Sequence, residues 1–147
     1  MRSWRGSASV TGWISLSVAA LLSVPGCSQD ARTKVYAVQG KVFFKGAPAS
    51  GGFVVFHPAA AGTDATLPTA PVKSDGSFQL TTYENNDGAP AGEYAVTVQW
   101  NRPIVVNKEL QSGPNVIPAK YSDPAKTPLK VTVAQAANDL KPFEITK

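Results

Sequence analysis

One cysteine, one histidine and one methionine occur in 147 residues, and each scarcity removes a class of function. A lone Cys27 cannot close an intramolecular disulfide, and with His57 as its only imidazole partner it offers no set of soft ligands for a transition metal. Long stretches with a 3.6-residue apolar period are missing beyond the N-terminus, which argues against a helical fold. No apolar run reaches the roughly 20 residues that a membrane-spanning helix requires. The charge is modest: Lys and Arg number 14 against 10 Asp and Glu, and two of the cations, Arg2 and Arg5, precede Cys27. The remaining cations are scattered without a run or an interleaved aromatic patch, so no nucleic-acid partner is expected. No acid/base pair and no nucleophile with an adjacent base stands out. The sequence therefore predicts no catalytic residue, no metal site, no cofactor and no enzyme activity.

What is present at the N-terminus reads as an address. Arg2 and Arg5 form a positive start, and Val10 to Val24 is an uncharged, largely apolar segment of about fifteen residues. Val24-Pro25-Gly26-Cys27 follows and resembles the lipobox of bacterial lipoproteins, although Pro25 departs from the usual pattern. Residues 1–26 are then a signal peptide, Cys27 is the lipidation site, and 27–33 is a polar tether. The expected partner is a membrane, reached through the acyl chains on Cys27. The expected location is the cell membrane, with the domain exported to the outer-membrane or periplasmic face. Ser28 is compatible with sorting to the outer membrane. Two other readings stay open: Cys27 as an incidental thiol beside an ordinary cleavage site, and the segment as a short uncleaved anchor.

From Lys34 onward the signal is a period of two. Val38, Gly40, Val42 and Phe44 share one face; Val54 and Phe56 point inward from the next run, which Pro58 ends. The stretch from Val72 to Trp100 is the spine. Phe78, Leu80 and Thr82 line one side of its first strand, and Tyr94, Val96, Val98 and Trp100 one side of its second. Asp75-Gly76 predicts a tight turn, because Gly accepts positive φ. After Trp100 the pattern lapses into a Pro-rich loop from Asn101 to Pro128, with one helical turn expected at Pro118-Ala119-Lys120-Tyr121. Leu129, Val131 and Val133 resume the alternation, and Leu140 to Ile145 closes the fold around Pro142. The expected class is all-β: about seven strands in an Ig-like or transthyretin-like β-sandwich over residues 34–147.

Several segments in order resemble the carboxypeptidase regulatory-like family, in a variant found as bacterial single-domain lipoproteins. They are V-Q-G-K-V-F-F-K-G-A-P, G-G-F-V-V-F-H-P, K-S-D-G-S-F-Q-L-T-T-Y, D-G-A-P-A-G-E-Y-A-V-T-V and the closing I-P-A-K-Y-S-D-P-A-K-T-P-L-K-V-T-V. The resemblance implies a transthyretin-like sandwich that is non-catalytic and acts as a structural or protein-interaction module of the cell envelope. A hydroxyisourate hydrolase shares the fold class, but it uses more than one His and a C-terminal Tyr-Arg-Gly-Ser. Here the chain has His57 alone and ends Phe143-Glu144-Ile145-Thr146-Lys147.

An alternative function is carbohydrate or peptide binding by the loop 100–128, with envelope proteins or glycans as partners. Trp100, Tyr121 and Tyr83 are its candidate contacts, since exposed rings stack on sugars, while the packing reading has Trp100 closing the core and Tyr121 pinning the loop. Arg102, Lys108, Lys120 and Lys126 outnumber Glu109 and Asp123 there, which would suit anionic glycans or a membrane surface, with a solvated face as the default reading. Glu84, Asn85, Asn86 and Asp87 gather oxygen ligands without the spacing of a calcium loop, and read as a turn. Tyr94 is expected to send its hydroxyl to nearby backbone, as in the tyrosine corner of sandwiches.

Overall fold

The computed structural model describes residues 32–60 and 66–147; residues 1–31, on which the expected signal peptide, Cys27 and most of the expected tether fall, and residues 61–65 lie outside the described residues. The chain from Arg32 begins with β1 (Val35–Tyr36) and β2 (Val38–Phe44), then turns through Lys45-Gly46 into β3 (Ala47–Pro48). Next come β4 (Phe53–Pro58), β5 (Thr69–Pro71) and β6 (Ser77–Gln79). Then β7 (Ala89–Pro90) leads into β8 (Gly92–Gln99), followed by β9 (Asn101–Val106) and β10 (Glu109–Asn115). A 3₁₀ turn at Ala119–Tyr121 precedes β11 (Lys130–Val133), β12 (Asn138–Asp139) and β13 (Phe143–Ile145). The fold is all-β, as the alternating pattern predicts.

Two sheets enclose the core. One runs β11-β8-β4-β5, antiparallel throughout, with Val54 opposite Val98 and Phe56 opposite Val96. The other is built on β2, which pairs antiparallel with β6 and β3 and parallel with β12 and β13. Every second side chain of the central strands points between the sheets, so Val42, Val54, Phe56, Phe78, Leu80, Val96 and Val98 are completely buried. Rings knit the layers: Phe56 sits 6.3 Å from Phe78 and 5.6 Å from Tyr94 between centroids, and Phe78 stacks on Phe143 at 5.9 Å. Gly40 is small because Phe78 lies over it; a Cβ there would come within 2.8 Å of that ring.

The sequence pattern and the structure differ mainly after Trp100. The expected loop from Asn101 is a β-hairpin, β9–β10, turning through Asn107-Lys108 with φ of 53° and 66°. Two successive positive φ values are the mark of a type I′ turn, whose twist suits a hairpin. The remainder, residues 116–129, is a strap that closes the free edge of β8. Leu129 carbonyl accepts from Val96 N–H at 2.9 Å, and Thr127 Oγ1 donates to Val96 carbonyl at 2.6 Å. The expected helical turn is the 3₁₀ turn, and it seats Tyr121 in the core. Pro142 lies between the two short patches, β12 and β13, that pair with β2.

Candidate functional site

Strand directions place the chemistry-bearing loops at two ends of the sandwich. Tyr36 of β1 pairs with Ala89 just before β8 begins, so the chain from Arg32 enters at the end where β2 and β8 start. Phe44 and Trp100, at the finishing ends of those strands, meet edge to face at 6.2 Å. The β9–β10 hairpin leaves from that second end.

At the entry end, the acidic turn after Tyr83 is a closed structural device. Asp87 accepts N–H bonds from Thr82 at 2.7 Å and from Tyr83 and Glu84 at 2.9 Å. Burial alone would raise its pKa, but these bonds outweigh burial and hold the carboxyl below the ordinary range. Gly88 follows at φ 99°, where a side chain would run into the Tyr36 carbonyl. With both carboxylate oxygens engaged by backbone, Asp87 is a loop clamp. Tyr83 is half-buried, with the Arg32 guanidinium carbon 5.6 Å from its ring centroid. Tyr94 Oη donates to the Pro90 carbonyl at 2.8 Å, the backbone bond expected of this residue.

The outer face of the antiparallel sheet carries a cleft of about 540 Å³. His57, Ala95 and Lys130 form one cross-strand row there, and small Ala95 is the floor. His57 Nε2 lies 2.9 Å from Thr97 Oγ1, and burial lowers its pKa, favouring neutral imidazole. Glu93 and Lys130 line the cleft and are exposed. Thr97 is itself buried, so the hydroxyl that bonds the imidazole is enclosed and the pair ties β4 to β8. Among the described residues no group of three His, Cys, Asp or Glu could hold a metal ion, and no helix is long and apolar enough to cross a membrane.

At the far end, two of the rings expected to meet a ligand are core. Trp100 is 6 % exposed and Tyr121 4 %, because the strap folds over the edge of β8 and encloses both. Of the two readings of these rings, this burial fits packing: the apolar side of each is enclosed, and a cation lies over each ring. The Arg102 guanidinium carbon sits 4.4 Å from the Trp100 ring centroid, and Lys120 Nζ 5.0 Å from that of Tyr121. Tyr83 belongs to the opposite end, so the three candidate contacts are not brought together.

What the far end does expose is the hairpin. Val105 and Leu110 are cross-strand partners, 69 % and 77 % exposed, and neither takes part in the core. The sequence alone did not single them out. Their signal is a pair of aliphatics on either side of Asn107-Lys108, legible only once the turn is recognised.

No protein-family model matches the chain, and no curated protein matches it. Among solved structures, the chain is similar to a Pseudomonas aeruginosa protein proposed to bind carbohydrate, with 12 % identity and a TM-score of 0.41 over 80 % of this chain and 92 % of that one. It is likewise similar to a 9R-lipoxygenase from Cyanothece, at 12 % identity and a TM-score of 0.41, over 76 % of this chain and 16 % of that one. Likenesses this distant assign neither a family nor a function.

Proposed function

We propose that this chain is a non-catalytic lipoprotein of the bacterial cell envelope, a carboxypeptidase regulatory-like sandwich held to a membrane through Cys27. It acts by contact: as a structural or interaction module it presents a surface to an envelope partner. The observation that carries this reading is the division between the two ends of the sandwich. The chain enters at one, and the other bears a hairpin whose exposed aliphatics the core does not use.

The alternative, peptide or carbohydrate capture by residues 100–128, is supported in its peptide form by the same hairpin. The carbohydrate form wants an open aromatic face, which Trp100 and Tyr121 do not present.

Metabolic labelling with palmitate tests the anchor. Wild type incorporates label and fractionates with membranes, whereas Cys27→Ala loses the label and accumulates as precursor. Wild-type protein that is processed without label removes the anchor from the reading.

A further inference from the structure

The pairing along β2 skips a residue on one side. Gln39 faces Asp139 of β12, but Val42 faces Phe143 of β13, so Leu140-Lys141-Pro142 opposes only Gly40-Lys41. Main-chain groups alternate in direction along an extended strand. Those of Val38 and Val42 turn toward the β6 side. There the Val38 carbonyl accepts from Leu80 N–H at 3.0 Å, and Val42 N–H donates to the Gly76 carbonyl at 2.8 Å. Gln39 turns the other way, its carbonyl accepting from Leu140 N–H at 2.9 Å. Lys41 therefore turns its N–H into the skip, and among the described residues no carbonyl of 140–142 meets it. β2 has neighbours on both sides. A donor in such a strand is nearly always paired, by protein, by water or by a bound group.

The skip opens onto a cleft of about 560 Å³ on the outer face of this sheet. Two cross-strand rows wall it: Gln79, Gln39 and Asp139 form one, Ser77 and Lys41 the other. Between them Gly40 and Phe78 turn inward, which leaves main chain as the floor. Lys73 and Lys141 complete the polar lining. Lys73 Nζ gives one of its three protons to Gln79 Oε1 at 3.1 Å. Neither Lys41 nor Lys141 makes a side-chain hydrogen bond or ion pair among the described residues.

The charges favour an anion. Three ammonium groups line the cleft against one carboxylate, Asp139. Asp75 stands outside the lining, with Oδ1 accepting from Ser77 Oγ at 2.6 Å and Ser77 N–H at 3.0 Å. Those bonds, the hydroxyl's first, lower its pKa, and the Lys41 charge adds a smaller effect. Setting Asp75 against Lys41 still leaves two cations to one acid. Glu144 shares the outer face one row farther along, opposite Phe43, and lies outside the lining. An oxyanion is the ligand that accepts from a main-chain N–H and from ammonium groups together.

We propose that this cleft binds an oxyanion, a phosphate, sulfate or carboxylate group carried by a small polar ligand. The oxyanion accepts from the Lys41 N–H, with the Lys41 and Lys141 ammonium groups closing over it. Gln39, Gln79 and Asp139 face the remainder of the ligand and suit its hydroxyls. The site lies on the other sheet from the His57 cleft and rests on neither Cys27 nor the hairpin.

An NMR titration that follows the Lys41 amide tests the site directly. The protein is residues 32–147, a compact unit with its own core. The probes are inorganic phosphate, glucuronate and glucose, each added at constant ionic strength. The expected result is a saturable downfield shift of the Lys41 amide with phosphate, glucuronate or both, and none with glucose. The tighter of the two anions tells a phosphoryl from a carboxylate ligand. Lys41→Met and Lys141→Met should each weaken that binding about fivefold with an unchanged thermal midpoint, because both side chains are exposed. Added chloride should weaken it too. A Lys41 amide that stays still with both anions overturns the proposal, since water alone would then meet the N–H. So does a shift that both Met variants retain in full, or binding of glucose as tight as that of the anions. Failure of palmitate labelling leaves this experiment unaffected.

Discussion

Asn115 Oδ1 accepts a hydrogen bond from the Trp100 main-chain N–H at 2.9 Å, closing the hairpin at the point where it leaves and rejoins the sandwich. The same oxygen accepts from Ile117 N–H at 3.0 Å, and Nδ2 donates to Ser122 Oγ at 2.8 Å. One amide thus holds the end of β8, the start of the strap and the 3₁₀ turn together. Asn115→Ala should cost about 1–2 kcal/mol, as several modest bonds are lost at a partly wet site. Hydrogen exchange should then quicken at Trp100 and Ile117 ahead of the central strands. Uniform loss of protection across β4 and β8 would contradict a local role.

Asp87 makes the acid limb of stability predictable. Its folded pKa is depressed: burial opposes the charge, but N–H donors from Thr82, Glu84 and Tyr83 more than compensate. A depressed carboxyl contributes stability above its unfolded pKa, near 3.9, and loses that contribution as pH falls through the lower folded value. Asp87→Asn removes the charge and one of the two acceptor oxygens and should cost about 1–3 kcal/mol at neutral pH. Urea melts of the two proteins should converge as pH drops below the ordinary carboxylate range. A gap that is constant with pH would mean that geometry, not charge, is what Asp87 supplies.

Tyr94→Phe tests the hydroxyl while leaving ring packing against Phe56 in place. Loss of the bond to the Pro90 carbonyl should cost about 1 kcal/mol, read as a lower denaturation midpoint at unchanged slope. Burial, with a smaller effect from Tyr83, raises the Tyr94 pKa. That stabilisation is complete below the unfolded phenol pKa near 10 and is lost as pH rises through the folded value. Wild type should therefore lose more stability than Tyr94→Phe on the alkaline side.

The parts of the fold legible in the sequence are those with one wet face and one dry face. Val38 and Val42, Val54 and Phe56, Phe78 and Leu80, and Tyr94 to Trp100 all alternate, and all alternate members are buried as that pattern requires. The Tyr94 bond and the Asp75-Gly76 turn were legible because each depends on local chain geometry. The β9–β10 hairpin was not. Both its faces are largely solvated, so no binary pattern marks it, and Pro103 and Pro114 read as breaks. Its turn uses Asn-Lys where Asn-Gly would have been the clear signal. The parallel pairing of β12 and β13 with β2 joins segments about a hundred residues apart, and no local pattern encodes such a register. For the candidate contacts, an aromatic at a strand end reads the same whether a strap covers it or leaves it open. The strap over Trp100 and Tyr121 depends on the bonds Thr127 and Ser122 make to β8.

Substitutions at the two kinds of far-end residue should therefore separate cleanly. Trp100→Ala removes a ring that closes the core against Phe44, and Tyr121→Ala removes the side chain that pins the strap. Each leaves a cavity and should cost about 3–5 kcal/mol. Val105→Asp and Leu110→Asp remove side chains with almost no packing partners, and each should move stability by less than about 0.5 kcal/mol. Denaturant melts at neutral pH provide the comparison. Near-neutral behaviour of Trp100→Ala and Tyr121→Ala would show that the strap opens in solution and would return both rings to the list of candidate contacts. The four-residue contrast turns on a single physical quantity, the apolar area each side chain already buries, and that area assigns Trp100 and Tyr121 to the core and leaves Val105 and Leu110 for a partner.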